Sequence, residues 1–599
     1  MASPATTQTV RPLDTMRFDT AGPPQITSVI ADHLRMLGAR TDRPEQDGPA
    51  GPAGPSRPAG HITLAGGGFD PAHATTGWGA ARTGFVDEAT VQAATGIMAV
   101  HGRRNGNPSG LAADYAATAT AVLTVQGLLA NLVGQARGGT ASPVATSADR
   151  AGLLAVSQYL AAAGADEDEA AELAPGGPPF TSAEGTLFEL ETLDPGSWAR
   201  FWRALDAPAD ATRAGWRPFQ FRYATACAPL PEVLHTVTRA HPMERIRQAA
   251  ALSGAQVCAL HTLAARAAEH DGAAPWSLTP LGSAPPTGGS ASAPGRPLAG
   301  LTVLEAGRRI QAPLAAHLLG LLGAEIIRIE PPGGDPLRGM PPACSGISAR
   351  WLALNRGKRS VEIDIKAEAG RRELRDRAVA ADVFLHNWAP GKAAELGLDA
   401  HDLATANPAL VYAYTSGWAD RLANAPMGTD FMVQARTGVG EAVHPQGTVP
   451  APSLMTLLDV LGGLLGAEAV LAGLLLRERA GHGVRVDSSL LGAADTLTAP
   501  ALRRAARGEE PRRPAGFRHP RPTADGWIAP ADACAAAAVA YDLRDLRTAE
   551  ALEQLRSHGL TATAVTTDLS DLHHDPRFAD SISRDAHGAP VVPDPWSFA

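Results

Sequence analysis

A strand, a helix and a second strand follow one another without interruption in Pro297–Gly339, PLAGLTVLEAGRRIQAPLAAHLLGLLGAEIIRIEPPGGDPLRG. Leu301–Glu305 is a short apolar strand and Ala306-Gly307 supplies a tight turn. Gln311–Leu322 carries apolar residues at helical spacing, and Glu325–Glu330 is a β-branched run closed by Pro331-Pro332-Gly333-Gly334. Two parallel strands need a crossover between them, and a helix is the usual one. The stretch therefore commits the region to an α/β fold with a parallel sheet. The loop after its first strand is where such sheets place ligands. GxGxxG is missing, so a dinucleotide reading has little support.

The same alternation runs through residues 297–420. Strand candidates are 301–305, 325–330, 360–366, 382–386 and 410–415, with helices between them. That pattern predicts a parallel, Rossmann-like sheet wrapped by helices. Residues 428–490 read as helical, ending in a strand-like Val484–Asp487. Arg503–Arg521 is basic and Pro-rich, as an exposed loop is, and 522–599 holds short elements. Upstream, 61–274 is mixed α/β. Ala112–Gln135 is an Ala/Leu-rich helix, Thr186–Leu190 a strand, Pro195–Leu205 a helix, and Pro229–Ser253 is helical with a strand at Val257–His261. Residues 275–296 are a linker by composition. Residues 1–60 are a flexible or uncertain segment in which Thr41–Gly60 is rich in Pro and Gly and Thr27–Leu37 is a short helix.

At 599 residues the chain is too long for one ordinary domain. Its net charge of −9, without a long basic run, argues against nucleic acid as a partner. Cys227, Cys258, Cys344 and Cys534 are widely spaced and form no CxxC pair, which suggests neither disulfides nor a metal site and fits a reducing cytoplasm. No secretory signal is visible at the N-terminus. The stretch nearest to a membrane span, Leu457–Leu476, carries Asp459 and Glu468 and reads better as a buried helix, so no membrane is expected.

A signature recurs in the two halves. Glu88–Gly96, EATVQAATG, stands beside Asp430–Gly438, DFMVQARTG, with an acid four residues before the glutamine in both. An aspartate then opens a long apolar helix in each: Asp114, 22 residues after Gln92, and Asp459, 25 residues after Gln434. Both helices end in Arg and Gly, at Arg137-Gly138 and at Arg479-Ala480-Gly481. On this reading Asp114 and Glu88 are the first half's counterparts of Asp459 and Asp430.

Residues 297–490 resemble the class III CoA-transferase family, which includes formyl-CoA transferase, carnitine CoA-transferase and α-methylacyl-CoA racemase. The resemblance is carried by Pro297–Gly339, then Asn355–Ser360 (NRGKRS), Val361–Lys366 (VEIDIK) and Asp382–Gly391 (DVFLHNWAPG), in the family's order and spacing. It implies a Rossmann-like CoA-binding domain and a smaller α+β domain in an interlocked-ring fold. With the repeat, it implies two fused units trimmed in complementary ways. Residues 61–274 would be a unit lacking the sheet domain, and 297–599 a unit with that domain and a shortened C-terminal part. Either a homodimer or a pseudo-dimeric monomer would follow.

Moving CoA between acids needs a nucleophile that accepts an acyl group and returns it at similar energy. A carboxylate does this by forming a mixed anhydride and expelling the thiolate. Asp459 is the expected carboxylate. It lies at a helix start, where negative charge is favoured, and Gly462-Gly463 one turn on lets a thioester come close; the family's catalytic aspartate falls there too. Asp430 is the expected second acid. Thr429 stands where racemases of the family carry a catalytic histidine, which disfavours racemisation. Gln311 matches a glutamine of formyl-CoA transferase. The resemblance places CoA, as substrate and not as a resident cofactor, along Ile310, Gln311 and Ala312, along Ile363, Asp364, Ile365 and Lys366, and beside Asn387 and Trp388. Arg356, Lys358 and Arg359 offer further positive charge. Pro331, Glu395 and Met427 stand where formyl-CoA transferase has basic residues, and its glycine-rich active-site loop is not recognisable. The expected activity is CoA transfer between carboxylic acids. An acyl-CoA racemase, isomerase or dehydratase using paired acids and a non-catalytic acyl-CoA-binding protein are the alternatives.

Overall fold

The structure, a computed structural model, describes residues 11–41, 59–283, 293, 295–578 and 581–599. Residues 1–10, 42–58 and nearly all of 284–294 fall outside the described part, and with them part of the expected flexible and linker segments.

Two long helices lie side by side at the centre. We number the elements used below in chain order, with α1 Pro24–Met36, α2 Tyr115–Ala136, α3 Gln311–Leu321 and α4 Leu457–Ala480. Helices α2 and α4 are apolar on nearly every face, and such helices are stable only when enclosed. Both are long and apolar enough to cross a membrane by length and composition, but here protein surrounds them almost completely. Gln126 Nε2 donates to the Leu464 carbonyl at 2.7 Å and the Tyr115 hydroxyl to the Leu457 carbonyl at 3.0 Å. These bonds set the register of the pair.

Each core helix carries a sheet. The second half's strands are β7 Thr302–Ala306, β8 Glu325–Glu330, β9 Arg359–Glu362, β10 Val383–His386, β11 Val411–Ser416 and β12 His482–Ser489. They are all parallel and lie in the order β9-β8-β7-β10-β11-β12. This is a doubly wound order whose switch point falls between β7 and β10. The sheet gains a seventh strand, β6 Trp276–Ser283, paired antiparallel with β12. Composition places that segment in a linker; it becomes an edge strand because β12 offers it an unpaired backbone.

The first half also has a sheet, so it does not lack that domain as expected; it keeps a reduced one. Its strands are β1 Met16–Ala21, β2 Arg40–Thr41, β3 Ala59–Gly66, β4 Phe69–Gly77 and β5 Val144–Ala145, closed by β13 Ser597–Phe598. β1, α1 and β2 form a parallel strand–helix–strand unit like β7, α3 and β8. Ala31–Ala39 (ADHLRMLGA) even repeats the pattern of Ala315–Ala324 (AAHLLGLLGA). Residues 11–41 are therefore ordered, because Ile26, Ile30, Leu34 and Leu37 are buried. β3 and β4 form a hairpin in the place of β10 and β11, so β3 runs antiparallel to β1.

The strand closing each sheet comes from the other half: β6 follows the first half's α+β lobe, and β13 ends the chain after the second's. The first lobe pairs Phe180–Thr181, Leu187–Glu191 and Gln256–Ala259 under four helices around Trp198, Trp202 and Phe219. The second is smaller, with strands Arg521–Pro522, Trp527–Pro530 and Ala562–Ala564. Trp596 anchors β13, being buried and donating from Nε1 to the Leu123 carbonyl at 2.7 Å. Trp596→Ala is expected to cost about 3–5 kcal/mol, seen as a first-half transition at lower urea; an unchanged transition would show that the closing strand contributes nothing.

Candidate active site

The site begins with a helix end. Core helix α4 starts at Leu457 after Thr456, a non-glycine residue held at φ 55°. No side chain of its own caps it. The cap is the carboxylate of Asp430, whose Oδ2 accepts the Asp459 N–H at 2.7 Å and which also accepts from the Leu458 N–H. Gln434 donates to Oδ1 of the same carboxylate, and exchanges bonds of 2.8 and 2.9 Å with the Ser453 backbone. Asp430 is thus a buried acceptor beneath the helix end, where the peptide dipoles favour its charge.

Asp459 points elsewhere. Its side chain is partly exposed and, among the described residues, accepts no hydrogen bond. Burial raises its pKa first, the adjacent Asp430 charge second, and Glu191 adds to this; Arg309 opposes them. Asp430 is also raised by burial, against the three donors that hold it.

Gln311 opens α3 at the end of β7, on the switch-point side of the sheet. It is buried, and Nε2 donates to the Ser416 carbonyl at 3.3 Å. A Cβ on Gly462 would sit 2.9 Å from that Nε2, and one on Gly463 2.9 Å from the Gln311 carbonyl. The two glycines after Asp459 therefore let α3 and α4 touch. Ile310 and Ala312 are buried in the same contact. The structure thus brings Asp459, Asp430, Ile310, Gln311 and Ala312 into one place.

The other expected CoA contacts lie along the carboxyl edge of the sheet. Asn387 follows β10, adjacent to β7, and clasps the loop after β7: it accepts the Arg308 N–H at 2.8 Å and donates to the Arg308 carbonyl at 3.0 Å. Trp388 packs on His386, with ring centroids 4.8 Å apart. Ile363–Lys366 follow β9, with Ile363 buried, Ile365 half-buried, and Asp364 and Lys366 exposed. The basic cluster at 356–359 has partners within the protein. Lys358 is buried against Glu305 at 2.8 Å, Arg359 pairs with Glu325, and Arg356 donates to the Leu352 carbonyl. At this edge of the sheet, Arg308, Arg309 and Lys366 are exposed and make no ion pair among the described residues. No cluster of three or more His, Cys, Asp or Glu side chains among the described residues is placed to hold a metal ion.

The other wall of the site comes from the first half. Glu191, buried in the first lobe, accepts the Thr429 hydroxyl at 2.8 Å and lies 3.1 Å from Arg222. Tyr223 lies under Arg309, whose guanidinium carbon is 5.4 Å from the ring centroid. Sequence reasoning missed Glu191, Tyr223 and Arg309. Only Arg309 had a local signal, standing two residues before Gln311.

The equivalent place in the first half is built alike but has no carboxylate at the position of Asp459. Glu88 caps α2, accepting from Ala116 at 2.7 Å and Ala117 at 2.8 Å, with Gln92 bonded to it at 2.9 Å. Asp459 lies 29 residues after Asp430, and the residue 29 after Glu88 is Ala117. Asp114 is therefore not the counterpart of Asp459. It pairs at 2.6 Å with the buried Arg518, which also bonds Asp532 at 2.7 Å and the carbonyls of Leu111 and Ala113. Counting from the acid, instead of seeking the next aspartate, finds this.

Gly463→Ala tests the helix contact. Its methyl must push back the backbone of Gln311, and an ångström at such a site costs on the order of 10²-fold in rate, measured at unchanged helix content by circular dichroism; an unaffected rate would detach Gln311 from the chemistry.

A model of the family described as CoA-transferase family III matches residues 72–277 and 298–587. Mouse succinyl-CoA:glutarate CoA-transferase is 35% identical over 202 residues, 33% of this chain and 46% of that protein. A probable fatty acyl-CoA transferase of Mycobacterium tuberculosis is 36% identical over 197 residues, 32% of this chain and 49% of that one. Acetyl-CoA:oxalate CoA-transferase of Acetobacter aceti is 34% identical over 232 residues, 38% of this chain and 59% of that one. The chain spans about half the length of the curated relatives it matches. Among solved structures, a CAIB/BAIF family protein from Brucella suis is 26% identical, covers 50% of this chain and 91% of its own, and has a TM-score of 0.45.

Proposed function

This chain belongs to CoA-transferase family III, and from that premise we propose that it moves CoA between carboxylic acids through an acyl group carried on Asp459. The observation that supports this reading best is the pairing of two carboxylates with opposite surroundings. Asp430 is held by N–H donors under the helix end, while Asp459 is left without a donor and partly open. Glutarate and oxalate, named for two relatives, are carboxylic acids.

In the proposed cycle the Asp459 carboxylate attacks the thioester carbonyl. The C–S bond breaks, CoA leaves as thiolate, and a mixed anhydride remains. The thiolate attacks the aspartyl carbonyl and releases the donor acid as a carboxylate. An acceptor carboxylate then attacks the aspartyl thioester, expelling thiolate and forming a second anhydride. Thiolate attack on the acceptor's carbonyl returns Asp459 as a carboxylate and forms the new thioester. No net proton is consumed. Gln311 is assigned to hydrogen-bond the reacting carbonyl oxygen, and Arg308 and Lys366 to meet the phosphates of CoA. Asp430 holds the helix end and raises the pKa of Asp459. A proton-transfer role has no support from its contacts, because donors occupy both its oxygens and Thr429 stands beside it in place of a base.

Incubation with acyl-CoA and hydroxylamine tests the reading. A hydroxamate on the peptide holding Asp459, absent from Asp459→Ala, is expected; none with any donor would refute it. The nucleophile must be ionised and its pKa is raised, so the trapping rate is expected to climb with pH through that pKa. Asp430→Asn removes a neighbouring negative charge and is expected to move the midpoint to lower pH. A midpoint that stays in place would contradict the electrostatic role of Asp430.

A further inference from the structure

Asp459 is the partly open carboxylate of the site, with the buried carboxylates of Asp430 and Glu191 behind it. An incoming acid with one carboxylate needs only to reach the aspartyl carbonyl. One with two must also find a partner for the second charge, or bring it unpaired toward a site that already holds Asp459 and Asp430. Most cations near this wall are engaged. Arg350 is buried, bonded to Glu169 at 2.6 and 2.7 Å and to the Ala224 carbonyl. Arg222 pairs with Glu191, and Arg103 donates to the Thr225 carbonyl at 3.0 Å. Arg309 differs: its side chain is exposed, and among the described residues it makes neither a hydrogen bond nor an ion pair.

Its placement is specific. Arg309 sits in the turn between β7 and α3, two residues before Gln311, with its backbone in the left-handed region at φ 60°. Such a conformation in a residue with a side chain costs on the order of 1 kcal/mol and is held by the surrounding contacts. The Asn387 clasp on Arg308 fixes the turn from one side. The Tyr223 ring, from the first half, lies 5.4 Å from the guanidinium carbon on the other. Tyr223 is itself anchored by the Tyr159 hydroxyl, which donates to its carbonyl at 3.1 Å. A guanidinium resting on an aromatic face keeps its N–H edge free, and that edge matches a carboxylate by two parallel bonds.

We propose that Arg309, backed by Tyr223, binds the non-reacting carboxylate of a dicarboxylic acid while its other carboxylate exchanges on Asp459. This makes Arg309 a specificity-determining residue for the acceptor, and it rests on the function proposed above. The neutral end of a monocarboxylic acid has no use for the guanidinium, so the two classes separate in kcat/KM.

The experiment measures kcat/KM for a straight-chain dicarboxylate and for the monocarboxylate of equal length, with one acyl-CoA donor, in wild type, Arg309→Ala and Arg309→Lys. In Arg309→Ala the preference for the dicarboxylate is expected to fall by about 30-fold, the worth of a hydrogen bond to a charged group, mainly through KM. Arg309→Lys keeps the charge without the fork and is expected to restore part of it. An unchanged preference, or equal loss with both acids, overturns the proposal while hydroxamate trapping at Asp459 still supports the transfer reading. Absence of trapping in wild type overturns both.

Discussion

The rest of the structure depends on two apolar helices, Tyr115–Ala136 and Leu457–Ala480, lying against each other. Burying such surfaces is worth roughly 25 cal/mol per Å², but hydrophobic contact alone sets no register. Gln126 and Tyr115 do so, with bonds of 2.7 and 3.0 Å that would be costly to leave unmade, and the buried His33–Glu468 pair, at 3.0 Å, ties Pro24–Met36 to the second of them. Neither helix start has a capping side chain of its own, so each takes a carboxylate from an earlier short helix, Glu88 or Asp430. The acids that define the site are thus first a solution to the problem of ending a buried helix.

From this centre the halves diverge. One has a complete sheet and a small lobe; the other has a reduced sheet and a fuller lobe. The closing strands cross over, so each lobe stands against the opposite helix end. Asp459 therefore faces the full sheet and the full lobe, through Glu191 and Tyr223. The reduced parts meet at Ala117, where Arg518 ties Asp114 to Asp532 and fills the space with ion pairs. Removing one partner from such a buried set costs about 3–5 kcal/mol. The second place has become a clamp that holds the halves in position around the first.

Much of the second half was legible in its residues. The strand–helix–strand unit at 301–330 and the strands near 360, 383, 411 and 484 stand where periodicity puts them, and so do the first-lobe strand and helix at 187–204. What stayed hidden was non-local or very short. β2 and β5 have two residues each and exist only because a neighbour pairs with them. β6 reads as linker because an edge strand takes its order from its partner. Lys358 looks like a phosphate cation until Glu305, 53 residues earlier, is seen to neutralise it. Asp114 looks like a nucleophile because it is the next acid, whereas the position is set by distance from the capping carboxylate.

The arrangement of the two halves predicts one complete site per chain. Titrating the intact protein with coenzyme A by calorimetry tests this most directly. One molecule bound per chain, in protein of whatever oligomeric state, is the predicted result. Two molecules per chain, or none at millimolar coenzyme A, would contradict it.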